Sequence, residues 1–259
     1  MRLIDTHCHL DVSEFDTDRA AVVARATAKG VVAQIVPAID HAGWEGLRDT
    51  CAADKGLHAA YGLHPMFMAA HRPAHLGALE TWIESERPVA VGEVGLDFFV
   101  EGLDRRDQQI YFDAQLAIAR ACGLPAIIHA RRAVDAVIAS LKQVSGVRGV
   151  VHSFAGSIEQ ATQLWDLGIH VGLGGPLTYE RAIRLRKVAA AIPIEQLLLE
   201  TDAPDQPLAA HRGERNEPAR LVEVCTAIAL LRDTTPEAIA EATTRNAIGL
   251  FNLPMQAAA

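Results

Sequence analysis

Asp5-Thr6-His7-Cys8-His9 sets two imidazoles one residue apart, just after the apolar pair Leu3-Ile4. Residues i and i+2 share a face of a β-strand. His7 and His9 are therefore expected to aim at one point, as metal ligands must, while Cys8 points away. A bare His-x-His is common by chance, so the remaining chain has to supply partners. Glu93 follows Val89-Ala90-Val91-Gly92, His129 follows Pro125-Ala126-Ile127-Ile128, and His152 follows Gly149-Val150-Val151. Asp202 follows Leu197-Leu198-Leu199-Glu200-Thr201. Imidazole and carboxylate without an obvious thiolate suit Zn, Mn, Co or Mg rather than a soft-metal or iron-sulfur centre. Six ligands exceed what one four-coordinate ion accepts, so two divalent ions sharing a carboxylate are expected. Glu93 is the natural bridge, having two oxygens and lying between the two groups of histidines. Such a pair can hold a bridging hydroxide and polarise a phosphoryl or carbonyl oxygen.

These residues need a scaffold that brings distant segments to one place. Short runs rich in Val, Ile and Leu recur at Leu3–His7, Val31–Val36, Leu57–Tyr61, Val89–Glu93, Ala126–His129, Gly149–His152, Ile169–Leu173 and Leu197–Thr201. They lack strict polar alternation, as buried parallel strands do. Helix-like stretches separate them. Arg19–Lys29 carries Ala and Val on a helical period, and Arg105–Cys122 sets Ile110, Ala114, Ala117 and Ala121 on one side. Ser157-Ile158-Glu159-Gln160 reads as a capping box. Gly30, Gly56, Gly123 and Gly168 fall where a helix C-terminus favours a left-handed residue. Eight strand-helix units over about 250 residues imply an α/β fold, the closed (β/α)8 TIM barrel. Pro236–Phe251 follows as an additional C-terminal helix, with Thr235 as its cap. No linker or low-complexity tract divides residues 1–259, so one domain is expected. In this fold active sites lie at the C-terminal strand ends, where five of the eight strands deliver His, Glu or Asp.

The formal net charge of -8 argues against a broad basic surface gripping duplex DNA. It leaves room for a nucleic acid end entering a local positive site, because bound metal ions add charge. No apolar run reaches the roughly 20 residues of a membrane span. Met1-Arg2 leads directly into Leu3-Ile4-Asp5, so no signal peptide is expected. Cys8, Cys51, Cys122 and Cys225 are scattered and are expected to be reduced thiols of a cytoplasmic protein.

Five ordered segments carry a family resemblance: Asp5-Thr6-His7-Cys8-His9, Gly62-Leu63-His64-Pro65, Gly92-Glu93-Val94-Gly95-Leu96-Asp97, Val151-His152-Ser153-Phe154 and Glu200-Thr201-Asp202-Ala203-Pro204. With Arg215-Asn216-Glu217-Pro218 and Thr244-Arg245-Asn246, they resemble the TatD-type metal-dependent hydrolases over essentially the whole chain. That family belongs to the amidohydrolase superfamily of TIM barrels. The resemblance implies a divalent-metal-dependent deoxyribonuclease, often acting from the 3′ end of single-stranded DNA. It further implies that His7, His9, Glu93 and Asp202 hold one metal, and Glu93, His129 and His152 the other. Several superfamily members bridge their metals with a carbamylated lysine on strand four, where this chain has Glu93. Where family members often read His-Ser-Arg or His-Cys-Arg, this chain reads His129-Ala130-Arg131.

The expected reaction is phosphodiester hydrolysis by a metal-activated hydroxide, with single-stranded DNA ends as substrate and no obligate protein partner. Glu93 and Asp202 are the candidate catalytic residues, Asp202 as proton acceptor as well as ligand. His64 and Arg131 are candidate substrate contacts, and Glu200 can orient a histidine ring or a water from behind the ligands. Asn216 and Glu217 match the family pattern and can serve to position the loop after strand eight. His41, His58, His71, His75, His170 and His211 are expected at the surface or in loops, and Trp44, Trp82 and Trp165 in helix packing. Two alternatives remain: a hydrolase of acyl esters, lactones or aminoacyl-tRNA at the same site, or a non-catalytic scaffold or quality-control protein.

Overall fold

A computed structural model describes residues 1–254. Eight parallel strands run in chain order: β1 (Leu3–Asp5), β2 (Val31–Pro37), β3 (Leu57–Tyr61), β4 (Ala90–Asp97), β5 (Ala126–Arg131), β6 (Gly149–Val151), β7 (Ile169–Leu173) and β8 (Leu197–Leu199). Just beyond the strands, the backbone N–H of Thr6 donates to Leu199 O at 3.0 Å and that of Asp202 to His7 O at 2.9 Å, drawing the first and last strands together. The helices are α1 (Arg19–Ala28), α2 (Trp44–Ala52), α3 (Ala74–Glu86), α4 (Arg105–Cys122), α5 (Val134–Gln143), α6 (Ile158–Asp166), α7 (Ile183–Ala191), α8 (Leu221–Leu231) and α9 (Pro236–Phe251). The architecture is the (β/α)8 barrel with its extra C-terminal helix.

The apolar residues divide into two clusters. One fills the shell between the sheet and the surrounding helices. The other occupies the barrel interior, where Ile4, Ile35, Ile127, Val150 and Leu198 meet Ala247, Leu250 and Phe251 of α9. The added helix thus closes the barrel end opposite the candidate site. Thr235 caps it, its side chain accepting from Ala238 N, with Pro236 in the first turn. Ser157 and Gln160 complete the expected capping box of α6. Gly30, Gly123 and Gly168 take positive φ, whereas Gly56 does not.

The boundaries differ from expectation where they matter most. β1 ends at Asp5 and β8 at Leu199, so His7, His9 and Asp202 lie in irregular backbone past the strands. β4 runs four residues beyond Glu93, which places Glu93 within the strand rather than at its end. Gly95 in that extension has φ 138°, and a Cβ there would collide with the backbone of His129 on β5.

The buried face of α4 also differs. Ile110 is exposed, as are Ala117 and Ala121, while Gln108, Phe112, Gln115, Leu116 and Ala119 face inward. The glutamines are spaced two helical turns apart, so they share a face. Gln115 accepts from Leu63 N at 2.7 Å and donates to Leu63 O at 3.2 Å. Gln108 accepts from Asp97 N at 2.7 Å and donates to Asp97 O at 3.0 Å. Each carboxamide satisfies both backbone groups of one residue, Leu63 just past β3 and Asp97 at the end of β4, beyond the pairing of β3 with β4. Trp44, Trp82 and Tyr61 pack as an aromatic cluster, with the indole rings 5.8 Å apart, and Trp165 packs on His170.

Replacing Gln115 by Leu keeps the volume but leaves the buried N–H and C=O of Leu63 unpaired. The expected loss is about 1–3 kcal/mol, read as a lower denaturant midpoint at unchanged m-value; an unaltered midpoint would contradict the role given to this carboxamide.

Candidate metal centre

Glu93 lies at the centre of the cluster, buried on β4. Its two oxygens face different partners. Oε2 lies 3.2 Å from His7 Nε2 and 3.5 Å from His9 Nε2. Asp202 Oδ1 completes that side, 3.5 Å from His7 Nε2 and 3.7 Å from His9 Nε2. Oε1 lies 2.7 Å from His152 Nε2, 2.9 Å from His64 Nε2 and 3.0 Å from His129 Nδ1. All six residues singled out as ligands therefore meet at one place. His64, singled out as a substrate contact, reaches the same carboxylate. His7 and His9 converge as anticipated, their Nε2 atoms 3.2 Å apart, but through irregular backbone rather than strand alternation. Asp202 has φ 57°, a left-handed conformation that Asp tolerates better than most residues.

The donor set fits divalent cations. Two imidazole nitrogens face each other across 3.2 Å, and Glu93 Oε2 is a buried anionic acceptor without a hydrogen-bond partner. His7, His9 and Asp202 form one group with ligand atoms within 4.8 Å of one another; His64, Glu93 and His129 form another, and His7, Glu93 and His152 a third.

The electrostatics show how the cage is balanced without metal. Burial pushes the Glu93 carboxyl up, but the charges of His152, His64 and His7 and a hydrogen bond from His129 hold it well below its usual range. Burial and the neighbouring His152 keep His7 neutral, far below the ordinary imidazole value. Burial likewise lowers His64 to about 4. Burial opposes charge on His9 too, yet the adjacent Glu93 carboxylate, with Asp202 and Asp11, raises it to about 9. Against the same burial, Glu93, Asp202 and Glu200 raise His152 to about 10.

A second layer braces the cage. Glu200 sits behind His152, its Oε1 4.0 Å from His152 Nδ1, too far for a hydrogen bond, and accepting from Ser153 N at 2.5 Å. Gly172 makes room for that carboxylate, since a Cβ there would collide with it. Burial pushes Glu200 up to about 8. Asn216 donates to Thr201 O at 2.8 Å and Asp205 O at 2.9 Å, holding the loop after β8. His71 lies in a loop but is buried, donating from Nε2 to His64 O at 2.9 Å.

Three bracing residues were not singled out from the sequence. Asp97 Oδ2 accepts from His129 Nε2 at 2.9 Å, an arrangement that fixes the tautomer and aims Nδ1 at Glu93. Burial opposes charge on Asp97, but His129 and the backbone N–H groups of Val100 and Phe99 hold its carboxyl down at about 2. Its position four residues after Glu93, on the same face of a strand, is the signal that could have found it. Gln206 donates to Asp202 Oδ2 and accepts from Ser153 Oγ at 2.8 Å. Asp5 accepts from Thr201 Oγ1 at 2.5 Å and from the backbone N–H groups of Thr201 and His7, at 3.0 and 3.3 Å. Gln206 lies four residues after Asp202 but in irregular backbone with no helical or strand period to mark it, and Asp5 meets Thr201 from a distant segment.

The cage opens into a cavity of about 1250 Å³ whose mouth carries Phe67, Phe99, Arg131 and Arg132. Arg131 is exposed at the rim, at the end of β5.

Barrel and cage together define a hydrolase of the metal-dependent kind. The TatD related DNase model matches residues 4–252, and the chain belongs to the TatD family of metal-dependent hydrolases. It is 40% identical over 257 residues to a protein of Escherichia coli K12 named uncharacterized metal-dependent hydrolase YjjV, covering 98% of this chain and 99% of that one. The crystal structure of YjjV matches with a TM-score of 0.94 at 39% identity, over 98% of this chain and 99% of that one. The chain is 33% identical over 262 residues to the 3'-5' ssDNA/RNA exonuclease TatD of Klebsiella pneumoniae strain 342, covering 97% of this chain and 98% of that one.

Raised folded-state values at His9 and His152 stabilise the metal-free protein fully below about pH 6.5, the ordinary imidazole value. That contribution is lost as pH rises through about 9 and 10. The thermal midpoint of chelator-stripped protein should fall across this window. Metal ligation needs neutral imidazoles, so loading at pH 7.5 should release protons. Calorimetric heats measured in buffers of different ionisation enthalpy check this, and heats independent of the buffer would contradict it.

Proposed function

We propose that the chain hydrolyses phosphodiester bonds of DNA at single-stranded ends, with two divalent ions held at the Glu93 cage. The observation that carries the reading is the division of one buried carboxylate between two donor groups: Oε2 facing His7, His9 and Asp202, and Oε1 facing His64, His129 and His152. This agrees with the assignment of His7, His9, Glu93 and Asp202 to one ion and Glu93, His129 and His152 to the other. It adds His64 to the second group. Ions held there, whether Zn, Mn, Mg or Co, supply Lewis acidity and lower the pKa of water.

The remaining work falls to side chains of this chain. Asp202 accepts the proton of the attacking water. Burial raises its carboxyl above the usual range, which makes it a better base than an exposed aspartate. Gln206 holds its Oδ2 and leaves Oδ1 facing the cage. Asp97 keeps His129 in place, and Glu200 holds the backbone N–H of Ser153, next to His152. The name of the Klebsiella relative supports a nucleic acid substrate.

The test is a panel of a single-stranded oligodeoxynucleotide, bis(4-nitrophenyl) phosphate and 4-nitrophenyl acetate, each with and without EDTA. Metal-reconstituted protein should turn over the first two and lose both activities to EDTA. Asp202→Asn should lower kcat by about 10²–10⁴ while metal is retained; near wild-type turnover would remove its role as base. Turnover of the acyl ester alone would overturn the nuclease reading. Absence of both turnover and metal binding would favour the scaffold.

A further inference from the structure

The cage does not account for the rim beside it. Phe99 is 43% exposed, and two consecutive arginines lie against its ring. Arg131 Cζ is 3.8 Å from the ring centre and Arg132 Cζ is 4.6 Å away. Consecutive side chains of an extended strand point to opposite faces. Here Arg132 has φ 53°, in the left-handed region that non-glycine residues enter at a cost, and the chain turns so that both side chains reach one ring. Among the described residues neither guanidinium has a hydrogen bond or an ion pair. Asp135 lines the same cavity, but its Oδ1 accepts from Gln160 Nε2 at 2.6 Å and it pairs with neither arginine. Two adjacent like charges without a counter-charge repel each other, and an arriving anion relieves that repulsion.

The rim is also fixed relative to the cage. Asp97 Oδ1 accepts from the backbone N–H groups of Phe99 and Val100, each at 2.9 Å, while Oδ2 accepts from His129. One carboxylate therefore sets both a cage histidine and the aromatic loop. In the register of β4 against β5, Gly95 pairs with His129 and Asp97 with Arg131. His129 and Arg131 are thus about 7 Å apart along the strand, comparable to the step between neighbouring phosphates of an extended polynucleotide.

We propose that Arg131 and Arg132, spread on Phe99, form an anion subsite for the phosphate next to the scissile one. This rests on the phosphodiesterase reading above. It gives an acidic protein a local, preorganised hold on a polyanion, and it separates a polynucleotide from an uncharged ester entering the same cavity.

The experiment compares TpT, which has no flanking phosphate, with TpTpT, which has one, using metal-reconstituted protein. Wild type should prefer TpTpT in kcat/KM. Arg132→Gln and Phe99→Ala should each lower that preference about tenfold, and Phe99→Tyr should keep it. An undiminished preference in Arg132→Gln and Phe99→Ala would overturn the subsite. A second readout avoids catalysis: fluorescence anisotropy of a labelled phosphorothioate oligothymidylate against salt. Arg132→Gln should reduce the salt slope by about one; an unchanged slope, or no binding by wild type, would overturn the proposal. Binding with the expected slope but no phosphodiester turnover would overturn the nuclease reading and leave the subsite standing.

Discussion

A buried carboxylate surrounded by five imidazoles is the constraint around which the open end of this barrel is built. Desolvating the charge of Glu93 is costly unless positive partners surround it. Five histidines from four segments approach within 3.5 Å of its oxygens. Strand pairing alone cannot hold those segments, since β1, β6 and β8 end before the ligands begin. The work passes to side chains: Gln108 and Gln115 secure the ends of β4 and β3, Asp5 ties β1 to the loop after β8, and Asn216 secures that loop. The apolar core and α9 close the other end, so polar cost is concentrated where chemistry is required.

Much of this was legible in the sequence, for physical reasons that can be named. Buried parallel strands need continuous apolar runs, and five of the eight runs end close to a candidate ligand, so the barrel and the gathering of His7, His9, Glu93, His129, His152 and Asp202 at one edge could be read from order and type. Local signals also held: Ser157 with Gln160, and Thr235 with Pro236, act within one helical turn. The inward face of α4 was not legible, because an apolar period points to Ile110 while the face is set by two glutamines serving distant backbone groups. His64 could be placed at the correct barrel edge but not against Glu93, since its reach depends on the turn after β3. Gln206 and the stacking of Arg132 on Phe99 depend on left-handed residues and long-range contacts that no spacing rule encodes.

A net charge of -8 and a nucleic acid substrate are compatible if positive potential is local. On the proposed reading, cations held at the cage supply part of it. The rim arginines supply the rest, without disturbing the acidic balance elsewhere on the surface.

The central claim is that Glu93 joins two cation sites. Metal titration of stripped protein, with bound ion counted by elemental analysis, tests it most directly. Wild type should saturate at two divalent ions per chain and Glu93→Ala at one or none. Saturation of wild type at a single ion, or two ions retained by Glu93→Ala, would contradict the account.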